Sequence, residues 1–245
     1  MPAEERPVSP QTDSRGVQGL FSRIAGVYDL LNRILSFGLD ARWRKHLAAS
    51  VEPFPAKSTA RILDLAAGTL EVSVLLAGNY TGYCVLAMDF CLPMLQKGLP
   101  KIARSKNKRV YPLVGDGRKL PLPDTCVDAV TIAFGLRNIR PRTRAYAEVL
   151  RVLAPGGRFC VLEFGSARDR ILFGLYNFYL RYMLPLIGRF VSKDKDAYQY
   201  LADTVEAYPS AAELAEEMRA AGFSSVAYTK FTSGIVWLHS GKKPA

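Results

Sequence analysis

Residues 61–70 read Arg61-Ile-Leu-Asp-Leu-Ala-Ala-Gly-Thr-Leu70, an apolar run that ends in an acid and a glycine and precedes an amphipathic segment. This pattern predicts a strand, a tight turn and a helix. A second apolar run also ends in a carboxylate, Asp89, 21 residues beyond Gly68. Such a carboxylate is suited to a ribose diol, because its two oxygens can accept both hydroxyl hydrogens.

The turn after the first strand lacks the features that bind phosphate groups. It has one glycine, Gly68, where the dinucleotide fingerprint G-x-G-x-x-G has three, and no Lys-Ser/Thr pair follows it. The sequence therefore favours a nucleoside without a pyrophosphate. The alternative is a plain strand-to-helix turn in which Asp64 is only a capping acid.

The length of 245 residues and the 49% of hydrophobic residues predict one folded α/β domain. Residues 1–19 are rich in proline, serine and charge, which predicts a disordered tail before a domain at 20–245. They lack the apolar core of a signal peptide, so a cytoplasmic location is expected. Four scattered cysteines and two histidines indicate neither a disulfide framework nor a metal site.

The net charge of +11 calls for a partner or another explanation. Six basic residues and no acid lie between Lys97 and Arg109. Such a cluster can contact nucleic acid or anionic lipid headgroups. The alternative is a solvated helix face.

Strands alternate with helices along most of the chain and predict a mostly parallel sheet of seven strands. Helices are expected on both faces, and an antiparallel hairpin at the end. Residues 20–50 have apolar residues at helical spacing and predict an N-terminal helical cap. Ligands bind beyond the carboxyl ends of parallel strands, where Gly68, Asp89, Asp116 and Arg137 all fall.

Residues 166–200 contain the longest apolar run, Ile171 to Val191, in which only Arg181 and Arg189 are charged. Its length suits a bilayer span. However, a central arginine, with a proline and a glycine near the end, disfavours a transmembrane helix. The preferred interpretation is a hydrophobic cover over the substrate, and the alternative is an ordinary core helix.

Three further stretches resemble the ubiquinone and menaquinone biosynthesis C-methyltransferases, a family of class I S-adenosylmethionine-dependent methyltransferases with a Rossmann-like fold. The first two motifs, Asp64-x-x-x-Gly68 and Asp89, are similar to those of that class. The three stretches are Tyr28-Asp29-x-x-Asn32-x-x-x-Ser36-x-Gly38 with Trp43, Phe134-Gly-Leu-Arg-Asn138, and Arg151 to Arg158 with Leu162-Glu163-Phe164.

This resemblance implies that the cofactor is S-adenosylmethionine and that the reaction is C-methylation of a prenylated quinol, with demethylmenaquinol as the expected acceptor. The cofactor-binding residues implied are Asp64, Gly68, Thr69 at the methionine end, Asp89 at the ribose, and Asp116 and Gly117 at the adenine. Tyr28, Asp29, Asn32 and Arg137 are implied to face the quinol as catalytic residues.

The mechanism implied is in-line displacement, in which the methyl group passes from the sulfonium to a ring carbon of the reduced quinone and the thioether leaves. Arg137 cannot readily act as a base, because its pKa lies above about 12, but it can hold the phenolate or a water. Asp29 and Tyr28 both remain candidates for the proton relay. The partners considered are an anionic membrane, contacted peripherally at the inner face of the cell, and a second copy of the chain in a homodimer. No nucleic acid is expected.

The sequence also departs from the family pattern. Leu70 stands where a second glycine is usual and is expected to crowd the cofactor or to force the loop aside. Asp40 replaces a frequent histidine, Leu31 a methionine and Ala133 a frequent serine. Three alternatives are therefore kept: a methyltransferase for RNA, one for another small molecule, and a non-catalytic relative that binds the cofactor.

Overall fold

The computed structural model describes residues 14–51, 59–79, 82–105, 108–165, 200 and 203–245. The helices in these ranges are α1 (Ser14–Ile24), α2 (Tyr28–Leu35), α3 (Asp40–Ser50), α4 (Glu71–Asn79), α5 (Leu92–Arg104), α6 (Arg142–Val152) and α7 (Ala211–Ala220). The strands are β1 (Ala60–Leu65), β2 (Tyr83–Asp89), β3 (Val110–Val114), β4 (Val127–Ala133), β5 (Leu153–Phe164), β6 (Ser224–Phe231) and β7 (Val236–Lys242).

The strands form one seven-stranded sheet in the order β3-β2-β1-β4-β5-β7-β6. Strands β1 to β5 are parallel, and β7 is antiparallel to both β5 and β6. The predicted fold class, with its C-terminal antiparallel hairpin, is confirmed. The order reverses between β1 and β4, and the carboxyl ends of these two neighbours are where an open α/β sheet binds its ligand.

Helices cover both faces of the sheet because successive strand residues point to opposite sides. Ile62 belongs to one apolar cluster with Leu76 of α4. The next residue, Leu63, belongs to the other cluster, with Tyr146 of α6 and Met218 of α7. Each face thus has its own core, and the strand ends remain available for a site.

The N-terminal helices form a third apolar cluster over the carboxyl ends of the strands. Helix α1 begins at Ser14, so the prediction of a disordered tail was wrong for residues 14–19. Val17 and Leu20 are buried, because the helical spacing that continues to Ile24 begins at Val17. Gln18 also donates a hydrogen bond of 3.0 Å to the carbonyl of Phe90.

No helix of the described ranges is long and apolar enough to cross a membrane. The predicted substrate cover, residues 166–200, lies outside the described residues except for Tyr200. Within those same ranges, no three His, Cys, Asp or Glu side chains are grouped so as to hold a metal ion. The four cysteines are free thiols.

Candidate active site

A cleft of about 770 Å³, part of it open to solvent, lies where β1, β2 and β4 end. Five predicted site residues line it, and most of the remaining wall is apolar. The five are Tyr28, Gly68, Asp89, Asp116 and Gly117.

The glycine turn and Asp89 form one hydrogen-bonded unit in this cleft. Asp89 is buried, and its Oδ2 and Oδ1 accept from the backbone N–H groups of Gly68 and Cys91, each at 2.8 Å. Gly68 has φ +53°, a conformation that favours glycine. A carboxylate offers about four acceptor positions. Each oxygen therefore keeps one for a ligand hydroxyl.

The opposite end of the cleft is formed by Asp116 and Gly117. A Cβ on Gly117 would lie 3.2 Å from Ile139 Cδ1 and 3.3 Å from Leu65 Cδ2, so a side chain here would press on the apolar wall. The Asp116 carboxylate accepts from the backbone N–H, Nε and Nη2 of Arg118. These bonds lower the pKa of Asp116 and use most of its acceptor positions.

A second, smaller and more polar cleft shares a wall with the first. The shared residues are Tyr28, Ala66, Gly68 and Ala133. The rest of the lining has four polar side chains, Arg44, Asp64, Thr69 and Glu71, and two apolar ones, Ala67 and Val72. A ligand with an apolar ring system and a charged tail would therefore fit across the two clefts.

A continuous network of charged groups borders the polar cleft. Asp40 pairs with Arg44, and Arg44 Nη1 lies 3.7 Å from Glu71. Lys101 then joins Glu71 at 2.7 Å and Asp29 at 2.6 Å. The network links α2, α3, α4 and α5. Arg33 also pairs with Asp40 at 3.9 Å, so the network has three carboxylates and three cations and is formally neutral.

Thr69 and Asp29 extend this network toward the cofactor loop. Thr69 Oγ1 donates to Asp29 Oδ1 at 2.5 Å and accepts from Lys101 Nζ at 3.1 Å. Asp29 was predicted to face the quinol, but its two oxygens are directed to Thr69 and Lys101. It lines neither cleft. Lys101, one of the six basic residues of the predicted contact cluster, is therefore part of the site.

Asp64 is enclosed by the chain rather than open to the large cleft. Its oxygens accept from Ser73 Oγ at 2.5 Å and Thr131 Oγ1 at 2.9 Å, so the carboxylate joins α4 and β4 to β1. Burial raises the pKa of Asp64 to about 6, although both hydroxyl donors oppose this shift. The pKa of Asp64 in the folded protein therefore lies well above the ordinary value of an aspartate.

This raised pKa predicts a pH dependence of stability. The contribution of Asp64 is fully present below its unfolded pKa of about 3.8 and is lost as pH rises through about 6. Between these limits the wild type should lose about 3 kcal/mol of unfolding free energy relative to Asp64→Asn, at 1.36 kcal/mol for each pKa unit. Urea denaturation at several pH values measures the difference.

Thr131→Val is the companion variant for this measurement. It removes a hydrogen bond that lowers the pKa of Asp64. The pH range of the stability loss should therefore move upward. A constant difference between wild type and Asp64→Asn from pH 4 to pH 7 would contradict the assignment.

Leu70 does not crowd either cleft, contrary to expectation. The residue has φ +65° and is completely buried in the core. Its Cγ lies so close to α5 that a Cβ on Gly98 would be only 2.5 Å away. The left-handed backbone directs this side chain away from the ligand, and Gly98 provides the space. Helix α5 runs through Gly98 and continues to Arg104.

Gly98→Ala should destabilise the protein by about 1–3 kcal/mol, because the new methyl would also meet the Thr69 carbonyl at 2.7 Å. This overpacking outweighs the gain of about 1 kcal/mol in helix propensity. In a double-mutant cycle with Leu70→Ala, the double variant should lose less than the sum of the single losses. Thermal and urea unfolding provide the four values.

Gly78→Ala is the matched control, because Gly78 also lies in a helix, α4, and has nothing within 4 Å of a built Cβ. It should be neutral or stabilising by up to about 1 kcal/mol. If Gly98→Ala behaves like this control, the proposed packing of Leu70 is wrong.

Arg137 is buried in an ion pair with Glu163. Its Nη1 donates to Glu163 Oε1 at 2.6 Å and to the Phe134 carbonyl at 2.6 Å. Burial opposes the charge, but the adjacent carboxylate outweighs it and raises the pKa of Arg137. Arg137 Nε and Asn32 Nδ2 are buried and have no hydrogen-bond partner among the described residues. Neither residue lines a cleft, but Arg137 follows Phe134 and Gly135, which line the large one. Both atoms are donors that a ligand oxygen could accept from.

The sequence did not assign roles to Arg118, Lys101, Glu163 or Arg44. A signal existed for Glu163, because it is an acid near the end of a strand, as Asp64 and Asp89 are. Lys101 gave no such signal, since it is one of several lysines and arginines on a basic stretch. Its partners come from other helices.

The residues of the two clefts fit S-adenosylmethionine. Asp89 offers acceptors for a diol, the apolar slot beside Gly117 suits a purine, and the polar cleft has both a cation and carboxylates for an amino acid group. The seven-stranded sheet and the acids that end its strands define a class I S-adenosylmethionine-dependent methyltransferase. The model of the ubiE/COQ5 methyltransferase family matches residues 9–243. The chain belongs to this family.

Similar curated proteins cover nearly the whole chain. A ubiquinone/menaquinone biosynthesis C-methyltransferase UbiE from Syntrophotalea carbinolica is 44% identical over 91% of this chain and 92% of its own. A demethylmenaquinone methyltransferase from Thermus thermophilus is 44% identical over 92% of this chain and 100% of its own. One from Mycobacterium marinum is 40% identical over 95% of each chain.

Solved structures share the fold at low sequence identity. The [4+2]-cyclase SpnF matches with a TM-score of 0.68 and 17% identity over 98% of each chain. A complex of the Haloferax volcanii Trm112 methyltransferase activator and a methyltransferase gives 0.66 and 19%, covering 92% of this chain and 98% of that one. At these identities the likenesses define the fold alone.

Proposed function

We propose that the protein transfers a methyl group from S-adenosylmethionine to a ring carbon of a prenylated quinol, with demethylmenaquinol as the acceptor. The observation that carries this proposal is the pair of buried, unpartnered donors, Arg137 Nε and Asn32 Nδ2, among the described residues. Both lie in motifs typical of quinone methyltransferases. Family membership and relatives named for this reaction support it further.

The chain would hold the cofactor by three groups of residues. Asp89 would accept from the ribose hydroxyls. Gly117 would leave space for the adenine, with Asp116 positioned beside it by Arg118. Arg44 and Thr69 would face the methionine end in the polar cleft. When bound, the cofactor supplies an activated methyl group.

The remaining residues would act on the quinol. Arg137 would stabilise the phenolate through its Nε, while Glu163 and the Phe134 carbonyl fix the guanidinium. Tyr28 is better placed than Asp29 for the proton relay, because it lines both clefts and Asp29 is held by Lys101 and Thr69. The apolar wall would exclude water, and placement of the reactants can lower a barrier by about 7–11 kcal/mol.

The test is incubation with methyl-labelled S-adenosylmethionine and reduced demethylmenaquinone, beside the corresponding benzoquinol. The expected result is a labelled naphthoquinol with the mass of one added methyl group. Cofactor binding without methyl transfer to either quinol would instead indicate a non-catalytic relative. Transfer to RNA in place of quinol would favour the nucleic acid alternative.

Arg44 gives a prediction for the methionine end. Arg44→Gln should lower affinity for S-adenosylmethionine by about 10–100-fold, because a hydrogen bond to a charged group contributes roughly 1.5–3 kcal/mol. Affinity for 5′-methylthioadenosine, which lacks the amino acid, should be unchanged. Calorimetric titration of both ligands measures this difference, and equal losses would show that Arg44 acts only on folding or on the nucleoside.

A prenylated substrate also implies contact with lipid. We retain peripheral membrane contact as part of the proposed function, and the net charge of +11 supports it. A homodimer is a separate expectation, which sedimentation of the purified protein would test.

A further inference from the structure

One surface of the N-terminal helices combines exposed apolar side chains with cations. We call it the α2–α3 face and define it by Leu30, Arg33, Phe37, Arg42 and Lys45. Leu30 is 53% exposed and Phe37 is 78% exposed. Residues 30, 33 and 37 lie at helical spacing along one side of α2 and its following turn.

The other side of the same helix belongs to the interior. Leu31 is buried in the third apolar cluster, and Tyr28 lines both clefts. Helix α2 therefore separates the exposed apolar side chains from the active site by about one helix diameter, roughly 10–12 Å. This short distance suits a substrate whose tail remains in lipid.

The exposed charges of the α2–α3 face have one sign. Between residues 28 and 50, every exposed charged side chain is basic: Arg33, Arg42 and Lys45. The two acids of this stretch are paired with cations: Asp29 with Lys101, and Asp40 with Arg44 and, at 3.9 Å, with the exposed Arg33. The face therefore presents a net positive potential around its apolar side chains.

The turn that presents Phe37 is held in place by hydrogen bonds. Phe37 has φ +50°, which is unfavourable for a bulky residue. The backbone N–H of Gly38 donates to the Arg33 carbonyl at 2.8 Å, and Ser36 Oγ donates to buried Asp40 at 2.9 Å. A strained but stabilised turn thus holds the Phe37 side chain in its exposed position.

From these observations we infer that the α2–α3 face docks on an anionic phospholipid surface. Leu30 and Phe37 enter the boundary between headgroups and acyl chains, and the three basic side chains contact lipid phosphates. The charge complementarity favours lipid over a second copy of this basic chain. The inference that this docking brings the enzyme to its substrate rests on the proposed function, whereas the docking itself does not.

The test is co-sedimentation of the full chain with vesicles, without cofactor or quinol. Binding is expected to vesicles of phosphatidylglycerol with phosphatidylcholine, and to weaken with salt; phosphatidylcholine alone should bind poorly. Leu30→Ser with Phe37→Asn should reduce binding by about 10-fold or more. Arg33→Gln with Arg42→Gln and Lys45→Gln should reduce binding by about 100-fold, since each lost charge weakens it by about 5-fold.

The matched control is Leu99→Ser with Tyr111→Ser, on α5 and β3, where the side chains are 48% and 52% exposed. This control should bind vesicles like the wild type. Equal loss in the control, no loss in the α2–α3 variants, or self-association in place of lipid binding would each overturn the proposal.

Methyl transfer to a short-tailed, soluble quinol should be the same in Leu30→Ser with Phe37→Asn as in wild type. If the wild type does not transfer the methyl group, the proposed function is contradicted. The vesicle result, and with it the docking of the α2–α3 face, is not affected.

Discussion

Asp89→Ala is expected to lower the affinity for S-adenosylmethionine by about 100-fold or more. The carboxylate offers one acceptor position on each oxygen to a ribose hydroxyl, and each hydrogen bond to a charged group contributes roughly 1.5–3 kcal/mol. The same carboxylate holds the backbone of Gly68 and Cys91. The variant therefore loses both the contact and the shape of the loop. Isothermal titration with S-adenosylmethionine measures the effect.

Two controls separate a binding role from a structural one. Asp128→Ala removes another buried carboxylate that accepts a backbone N–H, that of Arg61 at 2.9 Å, but lines neither cleft. It should leave cofactor affinity unchanged. With Asp89→Ala, 5′-methylthioadenosine should lose affinity as much as S-adenosylmethionine does, since both contain the ribose. Wild-type affinity in Asp89→Ala would refute the assignment of this edge of the sheet to the nucleoside.

Arg137→Met should reduce the rate of methyl transfer by about 100–1000-fold, the loss typical of removing one group that stabilises developing charge. It should also destabilise the protein by about 3–5 kcal/mol, because Glu163 is left buried without its cation. Cofactor affinity should change little, since Arg137 lines neither cleft. Single-turnover rates and calorimetric titration distinguish the two effects.

The double variant Arg137→Met with Glu163→Gln separates catalysis from folding. Removing both charges should restore much of the stability that Arg137→Met loses. The methyl transfer rate should remain low, because the cation that would stabilise the phenolate is still absent. A double variant that is stable and turns over at the wild-type rate would mean that Arg137 only supports the fold.

The fold and the location of the site were predictable because their signals are local. Each parallel strand is a short apolar run, and Asp64 and Asp89 stand at the ends of two such runs. Strand ends meet at one edge of a parallel sheet, so local patterns already place these acids near each other. The hairpin from Ser224 to Lys242 was likewise recognisable from two strands and a short glycine turn.

The structure differs from the sequence-based predictions at residues whose neighbours come from distant parts of the chain. Leu70 appeared to be an obstacle because the sequence does not show which way a side chain at φ +65° points. The sequence also does not show that Gly98, inside a helix, makes room for that leucine. Val17 belonged to a polar stretch by composition, yet it is buried over the ends of the strands.

The sequence alone determined the class of fold, the edge of the sheet that carries the site and the family motifs, since periodicity and strand-end residues act over a few positions. Tertiary structure decided how the charges are paired. Glu163 reaches Arg137 across 26 positions, and Asp29 reaches Lys101 across 72. Such pairs depend on which helices and strands become neighbours after folding. The sequence by itself does not show which acidic residue a given basic residue will pair with.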